Sequence, residues 1–115
     1  MHLNYSLNYR GNIPLITLAG RFDAEVCDIV KVRFVSLVTP QQPNLVIDMS
    51  GVTFVDSLGL ATLVSGLKLC RKNHGLLRLV NLQSQVRYLF EMTRLDQAFE
   101  LFENVDDAFS DFSRG

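Results

Sequence analysis

The stretch LVIDMSGVTFVDSLGLATLVSGLKLCRKNHGLLRLVN, residues 45–81, decides the fold of this chain. It opens with a continuous apolar run, Leu45-Val46-Ile47, which is typical of a strand that is covered on both faces. A helical pattern follows, because apolar residues then recur at spacings of 3, 4 and 3: Leu60, Leu63, Leu67 and Cys70. Residues 76–80, LLRLV, are apolar except for Arg78 and predict a second strand. Strand, helix and strand over this length predict a βαβ unit.

Shorter elements are predicted on both sides of this unit. Residues 3–9 and 13–19 predict two strands of a hairpin that turns at Gly11. Asp23 is placed to cap a helix that runs through about Val38, with Glu25 in its first turn. The buried stripe of that helix is expected to contain Cys27, Val30, Phe34 and Leu37.

Three further elements are predicted after the βαβ unit. Residues 83–93 predict a helix with Val86, Leu89 and Phe90 facing inward, and residues 99–102 predict a short strand. Asn104 is then placed to cap a last helix. The resulting order is β-β-α-β-α-β-α-β-α. We therefore expect an α/β fold with one domain, residues 1–115, in which about four helices pack on a single mixed sheet of about five strands.

Composition excludes several classes of protein. The chain has 115 residues, enough for one compact domain and too few for two. Eleven Lys and Arg residues stand against twelve Asp and Glu residues, so no basic field favours nucleic acid. No apolar run approaches the ~18 residues of a membrane span, and no secretory signal opens the chain. We expect a soluble cytoplasmic protein whose two cysteines are reduced and packed as small apolar side chains.

Catalytic and cofactor-binding patterns are missing from the sequence. The two histidines, His2 and His74, lie at a terminus and in a turn, which disfavours a Ser-His-Asp triad. There is no glycine-rich phosphate loop for ATP and no His/Cys cluster, and Asp48 with Asp56 is too little for a magnesium site. We therefore expect no enzyme activity, no cofactor and no metal.

Ser57 is the residue that this pattern singles out. It lies where the central strand leads into the second predicted helix, at the edge of the sheet where open α/β folds usually bind their ligands. Helix amides favour a phosphate there, and phosphorylation would add about -1.5 to -2 charges. The first helical turn has no charged residue, so its rim suits a protein partner, and Gly59 would let a partner's backbone approach.

The alternative is structural. Ser57 or Asp56 would then only cap the helix. Asp23 and Asp48 are likewise interpreted as a cap and a strand-end residue, with the alternative that they join Ser57 at a shared surface.

Residues 45–81 resemble the signature region of the STAS domain family, and within it the stand-alone anti-sigma factor antagonists of bacteria. The resemblance extends to GRFDAE at residues 20–25 and to QVRYLFEMTRLDQAFELFENVDDAF at residues 85–109. It implies partner switching. The unphosphorylated protein would bind an anti-sigma factor that is also a serine kinase, and phosphorylation of Ser57 would release it. A PP2C-type serine phosphatase would reset the cycle.

The resemblance also implies a set of partner-binding residues, namely Asp23, Asp56, Ser57, Leu58, Gly59 and Ala61. Many members have a small or hydroxyl residue in place of Leu58 and a glycine in place of Ala61, so the rim is expected to be more apolar here. This difference bears on which kinase is recognised. A constitutive protein-interaction adaptor that uses the same fold without phosphorylation is the alternative function. A nucleotide binder or an enzyme is a weaker one. The sequence leaves the oligomeric state open.

Overall fold

The computed structural model describes residues 3–110 and residue 112, so His2 lies outside it. The strands in this part of the chain are β1 (Asn4–Arg10), β2 (Ile13–Phe22), β3 (Leu45–Val55), β4 (Leu77–Val80) and β5 (Glu100–Phe102). They form one mixed sheet in the order β1-β2-β3-β4-β5. β1 pairs antiparallel with β2, and the other neighbours pair in parallel. The helices are α1 (Cys27–Leu37), α2 (Ser57–Lys72), α3 (Ser84–Met92) and α4 (Val105–Phe109).

The predicted fold class and element order are confirmed, with one addition. A short 3-10 helix, Leu95–Gln97, lies between α3 and β5. It was not predicted because three residues are too few to show a periodic pattern.

The core lies mainly on one face of the sheet, where α1, α2 and α3 pack. The apolar run that opens β3 is buried, as predicted, and its side chains alternate between two clusters. Leu45 and Ile47 belong to the larger cluster under these three helices, whereas Val46 belongs to a smaller cluster with Val80 and Ala108 under α4. The predicted stripe of α2 is buried in the larger cluster: Leu60, Leu63, Leu67 and Cys70.

Both cysteines are free and buried, in agreement with the expectation that they pack as small apolar side chains. Burial raises the pKa of the Cys70 thiol to about 12, because the thiolate would lose its hydration inside the core. Cys27 is held beneath the start of α1, where its Sγ donates to the Asp23 carbonyl at 3.2 Å.

On the opposite face of the sheet, α4 is attached to a buried cation. The Arg78 side chain donates from Nε to Glu100 Oε1 at 2.7 Å and from Nη1 to the Ala108 carbonyl at 2.9 Å. Its guanidinium also lies 5.0 Å from the ring centre of Phe102 and 4.3 Å from that of Phe112. The charge is therefore buried together with partners that stabilise it. Asn104 caps α4 as predicted, accepting from Asp107 N at 2.8 Å.

The segment between β2 and α1 differs from the prediction. β2 continues through Phe22 and does not end at Ala19, because Gly20 adopts a φ of +108° and the register with β3 shifts on either side of it. The prediction that Asp23 caps α1 is wrong. Its carboxylate accepts from Glu25 N at 3.1 Å and its carbonyl accepts from Val26 N at 3.1 Å. This turn delays α1 until Cys27 and leaves Glu25 outside the helix.

The outer face of α1 is also more apolar than its predicted buried stripe suggested. Cys27, Val30 and Phe34 are buried as expected, but Leu37 is only half-buried, and so is Leu89 of α3. Three further apolar side chains of α1 point toward solvent and are 61%, 68% and 66% exposed: Ile29, Val32 and Val35.

The strand that leads to Ser57 is longer than predicted. β3 runs on to Val55, past Asp48, which lies inside the strand and not at its end as interpreted. Beyond Asp48, β3 pairs only with β2. On its other side, side-chain amides supply donors: Gln83 donates to the Ser50 carbonyl at 2.7 Å and Gln85 to the Thr53 carbonyl at 3.3 Å. β3 leads directly into α2, which begins at Ser57.

Candidate phosphorylation and partner-binding site

Asp56, and not Ser57, caps α2. Its backbone is extended, with φ -94° and ψ -177°, and its Oδ1 accepts from Gly59 N at 2.8 Å. Ser57 is the first residue of the helix and its side chain is exposed. Among the described residues none shares a hydrogen bond with the Ser57 hydroxyl. The capping role is thus filled by the neighbouring carboxylate, and the hydroxyl stays accessible.

The same carboxylate connects the start of α2 to the turn that follows β2. Asp56 Oδ2 accepts from Ala24 N at 3.1 Å, and Asp56 N donates to the Phe22 carbonyl at 3.3 Å. The Asp23–Glu25 turn therefore lies beside the start of α2, so Asp23 and Ser57 belong to the same end of the sheet. Asp48 does not reach this end. Its Oδ1 accepts from Ser50 N at 2.9 Å within β3.

Two side chains that the sequence reasoning missed line the same surface. The guanidinium of Arg21 lies 4.0 Å from the ring centre of Phe54, and its Nε is 3.6 Å from Asp23 Oδ2. They border an open depression of about 360 Å³ lined by Arg21, Asp23, Ala24, Glu25, Phe54 and Asp56. Arg21 and Phe54 are neighbours only because their strands pair in this register, for which the sequence carries no signal.

The rim residues of α2 divide into exposed and buried positions. Leu58 is 54% exposed and Ala61 is also exposed, whereas Gly59 is buried. A Cβ on Gly59 would lie 2.4 Å from the Phe22 carbonyl oxygen. The backbone that approaches Gly59 closely is therefore the end of β2 in the same chain, where a partner's backbone was expected. Gly59 lies buried beneath the exposed residues of the rim. We call Asp23, Asp56, Ser57, Leu58 and Ala61 the Ser57 surface.

Two other features are absent from residues 3–110 and residue 112. Within this range no group of three His, Cys, Asp or Glu residues is arranged to hold a metal ion. Nor is any described helix sufficiently long and apolar to cross a membrane.

Comparison with known proteins gives one consistent result. The family model of the STAS domain matches residues 4–108. The anti-sigma-B factor antagonist of Bacillus subtilis is 28% identical over 101 residues, which are 88% of this chain and 92% of that protein. The crystal structure of an anti-sigma factor antagonist from Mycobacterium paratuberculosis has a TM-score of 0.83 and 25% identity, covering 95% of this chain and 92% of that one.

The anti-sigma factor antagonist SpoIIAA of Bacillus has a similar fold in two chemical states. Its unphosphorylated form has a TM-score of 0.76 and 15% identity, over 97% of this chain and 99% of SpoIIAA. Its phosphorylated form has a TM-score of 0.74 and 15% identity, over 93% and 97%. The match to the family model spans nearly the whole sheet and its helices, and we conclude that the chain belongs to the STAS domain family.

Proposed function

We propose that the protein is a phosphorylation-controlled binding module of a partner-switching pathway. When unphosphorylated, its Ser57 surface binds an anti-sigma factor that is also a serine kinase, and phosphorylation of Ser57 releases that partner. A PP2C-type serine phosphatase restores the binding form. The module acts in the cytoplasm and is a substrate, not an enzyme. The observation that carries this proposal is the exposed Ser57 hydroxyl, which Asp56 frees from any capping role.

The charges around Ser57 suggest how release would work. Leu58 and Ala61 give the rim an uncharged contact area, which is desolvated when a partner docks. A phosphate would add about -1.5 to -2 charges to this area, beside the Asp56 carboxylate. Burying that charge in an apolar interface is costly, so the complex is destabilised. The exposed position of Ser57 lets this happen with little refolding.

The relatives support the proposal. The Bacillus subtilis relative is named as an anti-sigma-B factor antagonist, which fits an anti-sigma factor as the partner. SpoIIAA keeps this fold in both its unphosphorylated and its phosphorylated forms. The similarity of this chain to both forms is consistent with a phosphate that changes the charge of the surface more than its shape.

The test uses serine-kinase anti-sigma factors of the host with Mg-ATP, in a binding assay read by size-exclusion chromatography. The wild-type protein should bind and then dissociate as phosphate accumulates on Ser57, measured by mass spectrometry. Ser57→Ala should bind and stay bound, whereas Ser57→Asp should fold normally and not bind. Ser65 supplies the matched control, because it is an exposed serine on the same helix whose Oγ donates to the Ala61 carbonyl at 3.0 Å. Ser65→Ala should behave as wild type.

The proposal fails if Ser57→Ala and Ser57→Asp both bind with wild-type affinity in the presence of ATP. Phosphoproteomics of the host adds an independent readout. Persistent absence of phosphate at Ser57 across growth and stress conditions would favour the constitutive adaptor in place of the switch.

A further inference from the structure

One edge of the sheet is open. β1 pairs with β2 along all seven of its residues, from Asn4 to Arg10, and has no described neighbour on its other side. The outward-facing backbone amides and carbonyls of such a strand form a template for another strand. All its side chains except Tyr5 are exposed, so no helix or loop of the described chain covers it.

This edge also lacks the features that normally prevent pairing. Natural edge strands are short or carry charges, prolines or bulges. β1 has no charged residue and no proline before Arg10, and its register with β2 is unbroken. The opposite edge is different. β5 has only three residues, and its Glu100 is held in the ion pair with Arg78. β1 is therefore the edge that is open to addition.

An apolar surface continues from this edge onto α1. Tyr5 and Leu7 lie on the helix-covered face of the sheet, because their register partners Leu18 and Ile16 lie in the larger core cluster. Tyr9 continues the same alternation along β1. Leu7 is 37% exposed and Tyr9 is 55% exposed. The helix next to them is α1, as the Arg33 guanidinium lies 5.0 Å from the ring centre of Tyr5.

The outer residues of α1 extend the same apolar surface. Ile29 lies one turn before Arg33 on that helix, and Val32 follows Ile29 by three residues, so Ile29 neighbours both on the helix surface. Ile29 is 61% exposed and Val32 is 68% exposed. An open strand edge and an apolar helix face thus lie side by side. One partner could cover both.

We propose that a second copy of this chain covers this surface, with β1 pairing antiparallel to β1 of that copy across a twofold axis. A register centred on Leu7 sets Leu7 opposite itself and Tyr5 opposite Tyr9 of the second copy. The polar side chains then meet on the other face, Ser6 opposite Asn8 and Asn4 opposite Arg10 of the second copy. No like charges oppose one another, and apolar pairs with apolar and polar with polar.

Self-pairing also explains why both features occur together. A twofold axis applies the same patch twice, so a strand whose pattern complements itself needs no other partner. A strand edge alone buries less surface than a stable dimer needs, and the exposed apolar residues of α1 supply additional area beside it. In the Ser57 surface, Asp23 follows β2, and Asp56, Ser57, Leu58 and Ala61 follow β3, two strands away from this edge. The surface therefore stays open in both copies.

The test introduces a charge of either sign at Leu7 and measures the mass of the protein in solution by sedimentation equilibrium. The wild-type protein should have twice the mass of the 13.0 kDa chain. Leu7→Lys and Leu7→Glu should each be monomeric, with a dissociation constant raised roughly a hundredfold, because like charges meet at the centre and apolar contact is lost. An equimolar mixture of the two variants should restore dimers. Tyr88→Lys is the control, since Tyr88 is 62% exposed on α3, and it should remain dimeric.

Hydrogen exchange of the wild-type protein gives a readout that does not depend on any variant. Protection of the β1 amides should increase with protein concentration. A wild-type protein that is still monomeric at concentrations on the order of 0.1 mM overturns the proposal, because its self-association would be too weak for a specific dimer. So does a dimer that survives Leu7→Lys, or a mixture that stays monomeric. Ser57 phosphorylation, measured separately on Leu7→Lys, keeps this outcome distinct from that of the proposed function.

Discussion

Asp56 holds the backbone of Ala24, 32 residues earlier in the chain, through a hydrogen bond of 3.1 Å to its Oδ2. Its other oxygen accepts from Gly59 N at 2.8 Å. One carboxylate therefore joins the turn after β2 to the first turn of α2. The residue beside the candidate phosphorylation site therefore has a structural role, whereas the Ser57 side chain shares no hydrogen bond with the described residues.

These different roles predict that substitutions at two adjacent residues will have different effects on stability. Asp56→Ala removes the cap and the bond to Ala24, and it should lower the free energy of unfolding by about 1–2 kcal/mol. Ser57→Ala should change it by less than about 0.5 kcal/mol. Urea unfolding followed by circular dichroism measures both. An Asp56→Ala variant that unfolds at the wild-type urea midpoint would contradict the assigned cap.

Gly59→Ala should destabilise the protein, although helix propensity alone favours alanine by up to about 1 kcal/mol. The new Cβ would lie 2.4 Å from the Phe22 carbonyl oxygen and 3.0 Å from a methyl carbon of Val55, and neither the backbone nor the packed strand end can move away cheaply. We expect a loss of at least roughly 1–3 kcal/mol. Ala61→Gly, two residues on and exposed, serves as the propensity control in the same thermal unfolding experiment. A more stable Gly59→Ala protein would refute the close contact.

Leu58→Ser tests the apolar rim. The side chain is 54% exposed, so the free energy of unfolding should stay within about 0.5 kcal/mol of the wild-type value. Affinity for the proposed kinase partner should fall about tenfold, because an apolar contact would be lost from the interface. Isothermal titration calorimetry gives the affinity. Tyr88→Ser, on the exposed side of α3, is the matched surface control, and equal affinities for Leu58→Ser and wild type would remove Leu58 from the interface.

Alkaline pH should destabilise the protein through Cys70. Burial raises the pKa of this thiol to about 12, so the folded state keeps a proton that the unfolded state loses from about pH 9 upward. Stability from this group is thus complete below pH 9 and declines as pH rises toward 12. The loss should be roughly 1 kcal/mol by pH 10.

The measurement is urea unfolding at pH 8 and pH 10 with a phosphine reductant present. Cys70→Ala should be less stable at both pH values, because it leaves a small cavity, but its decrease between them should be smaller than that of wild type. A parallel decrease in the two proteins would exclude Cys70 as the cause.

The sequence predicts the central βαβ unit well, because its signals are periodic and its side chains are buried where the period places them. The 3-4-3 spacing of α2 and the apolar run of β3 both depend on burial, which the pattern reports directly. Asp23 was assigned wrongly for a local reason. A carboxylate before a helical pattern resembles a cap, but the chain first makes a turn in which the Asp23 Oδ1 and the Asp23 backbone carbonyl both accept hydrogen bonds.

Other features of the site depend on tertiary pairing, which one sequence does not encode locally. The stacking of Arg21 on Phe54 requires the register between β2 and β3, including its two shifts. The bond from Asp56 to Ala24 likewise joins segments that only the folded sheet brings together. Ser57 could be singled out from the sequence as a candidate phosphorylation site, because its position between a strand and a helix is a local property.

Because α4 contacts the buried Arg78, it contributes more to the stability of the domain than its five residues suggest. Removing α4 and the residues after it would strip the guanidinium of the Ala108 carbonyl and of the Phe112 ring, leaving a cation beneath the sheet surface with fewer acceptors. The ion pair with Glu100 remains, but the buried cation loses part of its stabilisation in addition to the small apolar area of the helix. Cleavage near residue 103 that releases α4 should therefore destabilise the domain, and the protein's lifetime in a cell would depend on how tightly α4 stays docked.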